Sequence, residues 1–77
     1  MKPIPNIPLG EYRHFKGRDY ELIAVARDSE DPDNFFAVYR ALYGEGEVWV
    51  RPLDTFTENV TLIGGEETPR FWYKEDE

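Results

Sequence analysis

Phe35-Phe36-Ala37-Val38-Tyr39-Arg40-Ala41-Leu42-Tyr43, followed by Gly44-Glu45-Gly46 and then Glu47-Val48-Trp49-Val50-Arg51-Pro52-Leu53, reads as two strands about a turn. Aromatic and β-branched side chains fit a pleated, half-buried surface, and the two glycines supply the turn. A type I turn with Gly46 in the left-handed position sets Leu42 against Val48 and Tyr39 against Arg51. A register slipped by one residue would put Arg40 directly against Arg51, which costs energy. One face then holds Val38, Leu42, Val48 and Val50 as an aliphatic core set, with Arg40 as its exception. The other holds Tyr39, Tyr43, Trp49 and Arg51, an amphipathic patch of the residue types that partner surfaces favour. Trp49 belongs to the core in one reading and to the binding face in the other.

Working outward, Gly10–Phe15 reads as the first strand, Lys16-Gly17-Arg18 as a turn and Asp19–Arg27 as the second strand, with Arg13 facing Glu21 and Tyr12 facing Leu22. Ser29–Asn34 is an acidic loop rich in turn formers. Pro52 ends the fourth strand, and Asp54-Thr55-Phe56 makes a single helical or 3-10 turn capped by Asp54. Val60–Ile63 and Thr68–Tyr73 flank Gly64-Gly65, a signal for a tight primed turn. No stretch sustains a 3.6-residue period. The fold class expected is all-β: a small SH3-like barrel or a strongly bent antiparallel meander of five to six strands with one short 3-10 turn, a flat three-stranded sheet being the alternative. Closure is favoured because Leu22, Ile23, Ala24, Val25 and Ala26 are apolar on both faces of their strand, as a strand covered on both sides would be. Residues 1–9, with Pro3, Pro5 and Pro8, read as an extended N-terminal arm, residues 10–73 as a single small β domain, and residues 74–77 as an acidic tail.

Seventy-seven residues without cysteine leave neither disulfides nor thiolate metal sites to brace the fold, so the 16% aromatic content must supply much of the core. Nine basic against sixteen acidic residues, a formal charge of −7, repel phosphate backbones and disfavour nonspecific nucleic-acid binding. No apolar run is long enough for a signal peptide or a bilayer span, which makes a cytoplasmic location the default expectation and membrane association unexpected.

His14 is the only histidine, and no spacing motif links it to a nucleophile. One histidine and no cysteine leave the common zinc sets incomplete. Asp28-Ser29-Glu30-Asp31-Pro32-Asp33-Asn34 resembles a calcium loop only in composition: it has no mid-loop glycine, and the twelfth position from Asp28 is Tyr39. No helix follows either glycine pair, so neither reads as a phosphate cradle. No cofactor and no metal are expected.

Tyr12-Arg13-His14-Phe15-Lys16-Gly17, Tyr39-Arg40-Ala41-Leu42-Tyr43-Gly44, Trp49-Val50-Arg51-Pro52-Leu53 with Phe56, and Pro69-Arg70-Phe71 occur in this order. Together they resemble a small bacterial family catalogued as domain of unknown function 1653, from about Gly10 to Phe71. The resemblance implies a compact, mainly β domain and no established activity. In the family pattern a histidine often follows Ala-Arg at the end of the second strand, a place held here by Asp28, so no role passes to that position.

The functional expectation is a non-enzymatic binding module using Tyr39, Tyr43, Trp49 and Arg51, extended by Tyr12, Arg13 and His14. Its partner would be a protein, a peptide or a small anionic ligand, and the chain itself a monomer or weak homodimer. An enzyme or accessory domain using His14 is the second hypothesis. Single-stranded nucleic-acid binding by stacking aromatics with Arg40, Arg51 and Arg70 is the third.

Overall fold

Left-handed glycines decide where three of the four hairpins turn; the remaining loop, Asp28–Asn34, has none. A computed structural model of the chain describes residues 2–74. Between β1 (Gly10–His14) and β2 (Asp19–Arg27), Gly17 adopts φ +99°. Its N–H donates to the His14 carbonyl at 2.7 Å, and the His14 N–H donates to the Arg18 carbonyl at 2.8 Å. The positive-φ residue is the last of a three-residue turn, Phe15-Lys16-Gly17, as expected for a type I turn closed by a left-handed glycine. The expected turn began one residue later, so the pairing differs by two: Tyr12 faces Tyr20, and Arg13 faces Asp19. The same bonds recur between β5 (Asn59–Thr61) and β6 (Glu67–Pro69). There Gly65, at φ +86°, donates to the Leu62 carbonyl, and Leu62 donates to that of Glu66. Ile63-Gly64-Gly65 is therefore a three-residue turn, not the expected two-glycine primed turn.

The deciding hairpin joins β3 (Phe35–Ala41) to β4 (Val48–Pro52). Gly44 and Gly46 both take positive φ, +59° and +68°, and the Ala41 N–H donates to the Glu47 carbonyl at 2.9 Å. The loop accordingly runs from Leu42 to Gly46. Tyr39 faces Trp49 and Ala37 faces Arg51, so the expected Leu42–Val48 and Tyr39–Arg51 pairs do not form. A second left-handed glycine lengthened the loop. Because the slip is again by two, each side chain keeps the face that alternation assigned to it.

The buried side is nevertheless the opposite of the one expected. Phe35, Ala37, Tyr39 and Ala41 are buried, whereas Val48 and Val50 are exposed, Val50 at 64%. β4 is an edge strand in a five-stranded antiparallel sheet ordered β4-β3-β2-β1-β7, where β7 is Phe71–Tyr73. Its aliphatic face, with Leu42 and Arg40, has no layer over it. The aromatic face is covered by α1 (Leu53–Thr57) and by Phe71. Phe56 on α1 is 1% exposed, stacks on Phe71 at 4.2 Å, and meets Tyr12 and Tyr39 at 5.4 and 5.5 Å. Burying such rings removes large apolar areas from water, and a Phe56 truncation would cost about 3–5 kcal/mol.

The sheet stays open, with β4 and β7 at its two edges, so the architecture is a mostly β open sheet plus a two-stranded β5–β6 sheet. The reason that favoured closure has another explanation. The β2–β3 register shifts between Leu22 and Ala24, and this bulge moves the inward positions from Tyr20 and Leu22 to Val25 and Arg27. A strand that changes phase reads as apolar on both faces without being covered on both. Among the described residues seven strands form rather than five or six, because Thr68–Tyr73 breaks at Arg70. The Arg70 N–H donates to the Glu58 carbonyl, and its own carbonyl accepts the Phe15 N–H, both at 2.9 Å. At Arg70 the chain passes from the small sheet to the large one. At the start of α1 the cap position is Pro52, with no side-chain cap bond; Asp54 lies within the first turn and accepts the Thr55 N–H at 2.9 Å.

Residues 2–9 are held at both ends. The Lys2 N–H donates to Asp33, the Lys2 carbonyl accepts from Arg27 at 2.9 Å, and the Tyr12 hydroxyl donates to the Pro8 carbonyl at 2.6 Å. Of the expected acidic tail, Lys74 pairs with Glu11 and Asp19, and residues 75–77 lie outside the described residues. No helix among the described residues is long and apolar enough to cross a membrane.

Candidate functional site

Inward alternation along three neighbouring strands converges on one recess. Tyr20 enters from β2, Tyr39 from β3, and Trp49 and Arg51 from β4, while Tyr43 reaches in from the β3–β4 loop; together they line about 220 Å³. Tyr39 forms the floor at 5% exposure, and Trp49, at 49%, stands at the lip. The Tyr20 ring meets Tyr39, Tyr43 and Phe71 edge-on at 5.4 to 5.6 Å, a geometry that aromatic quadrupoles favour. The Tyr20 and Tyr43 hydroxyls share a hydrogen bond of 2.7 Å. Burial, reinforced by the Tyr43 hydroxyl and by the Tyr43 and Tyr39 phenols, pushes the Tyr20 phenol up to about 12, so it keeps its proton at neutral pH.

Arg51 is half-buried and donates through Nε to the Tyr39 hydroxyl at 3.1 Å, with its guanidinium 5.8 Å from the Phe71 ring centre. No carboxylate among the described residues pairs with it. Arg18 lies 4.4 Å over the Tyr43 ring and has no carboxylate partner there either. The recess is thus walled by rings and edged by cations in a chain whose overall charge is −7.

Of the expected site residues, Tyr39, Tyr43, Trp49 and Arg51 come together here. Tyr12 shares their side of the sheet but is buried beneath Phe56 and Tyr73. Arg13 points to the other face, where it pairs with Asp19 at 2.8 Å opposite Trp72. His14 sits beside the recess, its ring 4.8 Å from Phe71 and 6.2 Å from Tyr20. Its Nδ1 accepts the Lys16 N–H at 3.1 Å, which leaves Nε2 as the protonated nitrogen of the neutral ring. Desolvation lowers the His14 pKa, and the nearby cations Arg51, Arg70 and Lys16 lower it further. Among the described residues no carboxylate orients it and no hydroxyl is bonded to it.

Tyr20, Phe71 and Arg18 were absent from the expected set. Tyr20 had a legible signal, since alternation from Leu22 places it on the same face. Phe71 and Arg18 reach the site only through the β7–β1 pairing and the turn at Gly17. Arg40 lies on the opposite face from Arg51, and Arg70 is paired with Glu58 at 2.6 Å, so the three arginines considered for nucleic acid are divided. Two carboxylates of the Asp28–Asn34 loop bond within it: Asp28 accepts from the Glu30 N–H and from Asn34 Nδ2, and Asp31 accepts from the Asp33 N–H. No cluster of three metal-ligating side chains occurs among the described residues. A larger recess, about 560 Å³, lies where the arm crosses Phe35 and Leu53. Its Asp33 already accepts the Lys2 N–H.

The fold and recess describe a small, mostly β domain: an open antiparallel sheet with one short helix and an aromatic, arginine-edged hollow. The chain belongs to the family described as protein of unknown function (DUF1653), which matches residues 10–73. It is similar to the crystal structure of a member of that family from Bordetella bronchiseptica, at 31% identity and a TM-score of 0.78, over 94% of this chain and 92% of that one. No curated protein matches it significantly.

Proposed function

We propose that the protein is a small non-catalytic binding module that takes its ligand on the Tyr39, Tyr43, Trp49 and Arg51 face. The observation that carries this reading is the half-exposed Trp49 indole at the lip of a recess whose floor is a packed aromatic core. A chain with so little core would gain stability by burying that ring, and a large rigid ring left in water beside an arginine is what interface anchors look like. His14 is read as a packing residue of the adjoining wall, because its Nδ1 is occupied by backbone and nothing positions a proton acceptor at Nε2.

The test compares wild type with Trp49→Ala as immobilised bait for ligands in native cell extract, bound small molecules and proteins both being identified by mass spectrometry. Urea melts run alongside should leave the variant's midpoint within about 1 kcal/mol of wild type, since a surface-side truncation forfeits little burial. A ligand held by wild type and absent from the folded variant supports the module. Identical capture by both baits overturns it.

A further inference from the structure

The hydrogen-bond inventory of the recess is unbalanced. Arg51 carries five N–H donors and spends one, Nε, on the Tyr39 hydroxyl. Because that oxygen accepts, the Tyr39 O–H proton remains available. In the Tyr20–Tyr43 pair one hydroxyl donates to the other, leaving one further O–H. Trp49 adds its indole N–H. Against these donors the lining offers phenolic oxygens alone, since none of Tyr20, Tyr39, Tyr43, Trp49 and Arg51 is acidic. The cation is uncompensated as well: sixteen acidic residues are present, yet none among the described ones pairs with Arg51 or Arg18.

We infer that this recess is a carboxylate site, in which Arg51 clamps the carboxylate of a ligand whose flat apolar body lies between Trp49 and Tyr43. The inference rests on the binding-module reading and names its ligand chemistry. A carboxylate supplies two oxygens with about four lone-pair positions in the plane that a guanidinium fork matches, which answers the donor surplus. The volume sets the size. At about 220 Å³ the hollow is smaller than the roughly 300–1,000 Å³ of pockets that enclose drug-sized ligands, so the part of a ligand it takes in is about one ring with its acid. The walls set the chemistry: Tyr20 braces Tyr43 through the shared hydroxyl bond and meets Tyr39 edge-on, so the tyrosines of the lining hold one another in place. A tetrahedral dianion such as phosphate would meet the same charge but make no use of the rings. A free aromatic acid and the C-terminal carboxylate of a peptide ending in an aromatic residue share the required chemistry.

The experiment titrates the whole chain with benzoate, benzamide, inorganic phosphate, N-acetylphenylalanine and N-acetylphenylalanine amide. The readouts are the nitrogen–proton signals of the Trp49 indole and the Arg51 Nε. Benzoate should move both signals saturably and bind at least about tenfold more tightly than its neutral isostere benzamide, the factor expected for one charge-assisted fork. Arg51→Gln should lose that preference while keeping its dispersed spectrum. The wild-type comparison of acid with amide decides the matter even if the variant unfolds. Preference for N-acetylphenylalanine over benzoate marks a peptide terminus as the source of the carboxylate, and the reverse marks a free acid; either supports the site. Equal binding of benzoate and benzamide overturns the carboxylate while leaving the module reading intact. Phosphate binding as tight as benzoate overturns it in favour of a point-charge site. Silence of both signals with every probe overturns it too, and the Trp49→Ala capture experiment then judges the module reading separately.

Discussion

His14 illustrates how a single side chain can be read two ways until its neighbours are known. Alone in the sequence, it invites a catalytic reading; in the fold, one ring nitrogen is committed to backbone and the ring is wedged against Phe15 and Phe71. Desolvation, with Arg51, Arg70 and Lys16 nearby, holds its pKa below the usual 6.5. A folded-state value below the unfolded one means that the unfolded chain binds the proton more readily. The stability His14 contributes is therefore complete above pH 6.5 and is lost as pH falls through its depressed folded value. Asp19, whose carboxyl is lowered chiefly by its bond to Arg13, acts in the same direction but below pH 3.8. The urea midpoint should thus decline as pH falls below the usual histidine value of 6.5, and the decline should flatten in His14→Gln. Parallel curves for the two proteins would show that the slope comes from elsewhere.

Turns carry the lesson at the level of elements. Three of the four hairpins end their loops on a left-handed glycine, Gly17, Gly46 or Gly65, and their pairing register follows from that position; the β2–β3 loop, Asp28–Asn34, turns without one. The β3–β4 loop adds Gly44 at φ +59°, where a Cβ would meet nothing within 4 Å. Any penalty for a side chain there is consequently backbone strain alone. Gly44→Ala should lower stability by about 1–2 kcal/mol in a chemical melt, and Gly44→Asn by less, because asparagine tolerates the left-handed region. Equal midpoints for Ala and Asn would mean that the loop relaxes to another conformation. The outward bulge between Leu22 and Ala24 belongs to the same scale: one extra residue explains an apolar run that alternation alone reads as a doubly covered strand.

Charge is the property of the whole molecule. Acids dominate the composition, yet the cations Arg51, Arg18 and Lys16 lie on or beside the aromatic recess, with Arg40 and the Arg13–Asp19 pair on the other face. A local positive site in a negative field admits a small anion and repels a polyanion, whose many phosphates feel the net charge. Random duplex DNA should accordingly bind more weakly than about 1 μM at physiological salt. Submicromolar affinity that falls steeply with added salt, measured by fluorescence anisotropy, would contradict this.

The strand content, the three turn locations, the helical turn near Phe56 and the grouping of Tyr39, Tyr43, Trp49 and Arg51 were all legible in the sequence. These depend on local propensity and on a period of two, which a two-residue slip leaves intact. The order of four short motifs likewise sufficed for the family. Three things were not legible: which side of the sheet is covered, whether the sheet closes, and which rings join the recess. Val48 and Val50 look more like core than Trp49 and Arg51 do, but burial is decided by what packs on top. The layer on top comes from Phe56 and Phe71, distant in sequence, brought over the Tyr39 side by a helix and by a strand that changes sheets at Arg70. Alternation along a strand sorts residues into two faces; only contacts between distant segments determine which of the two becomes the inside.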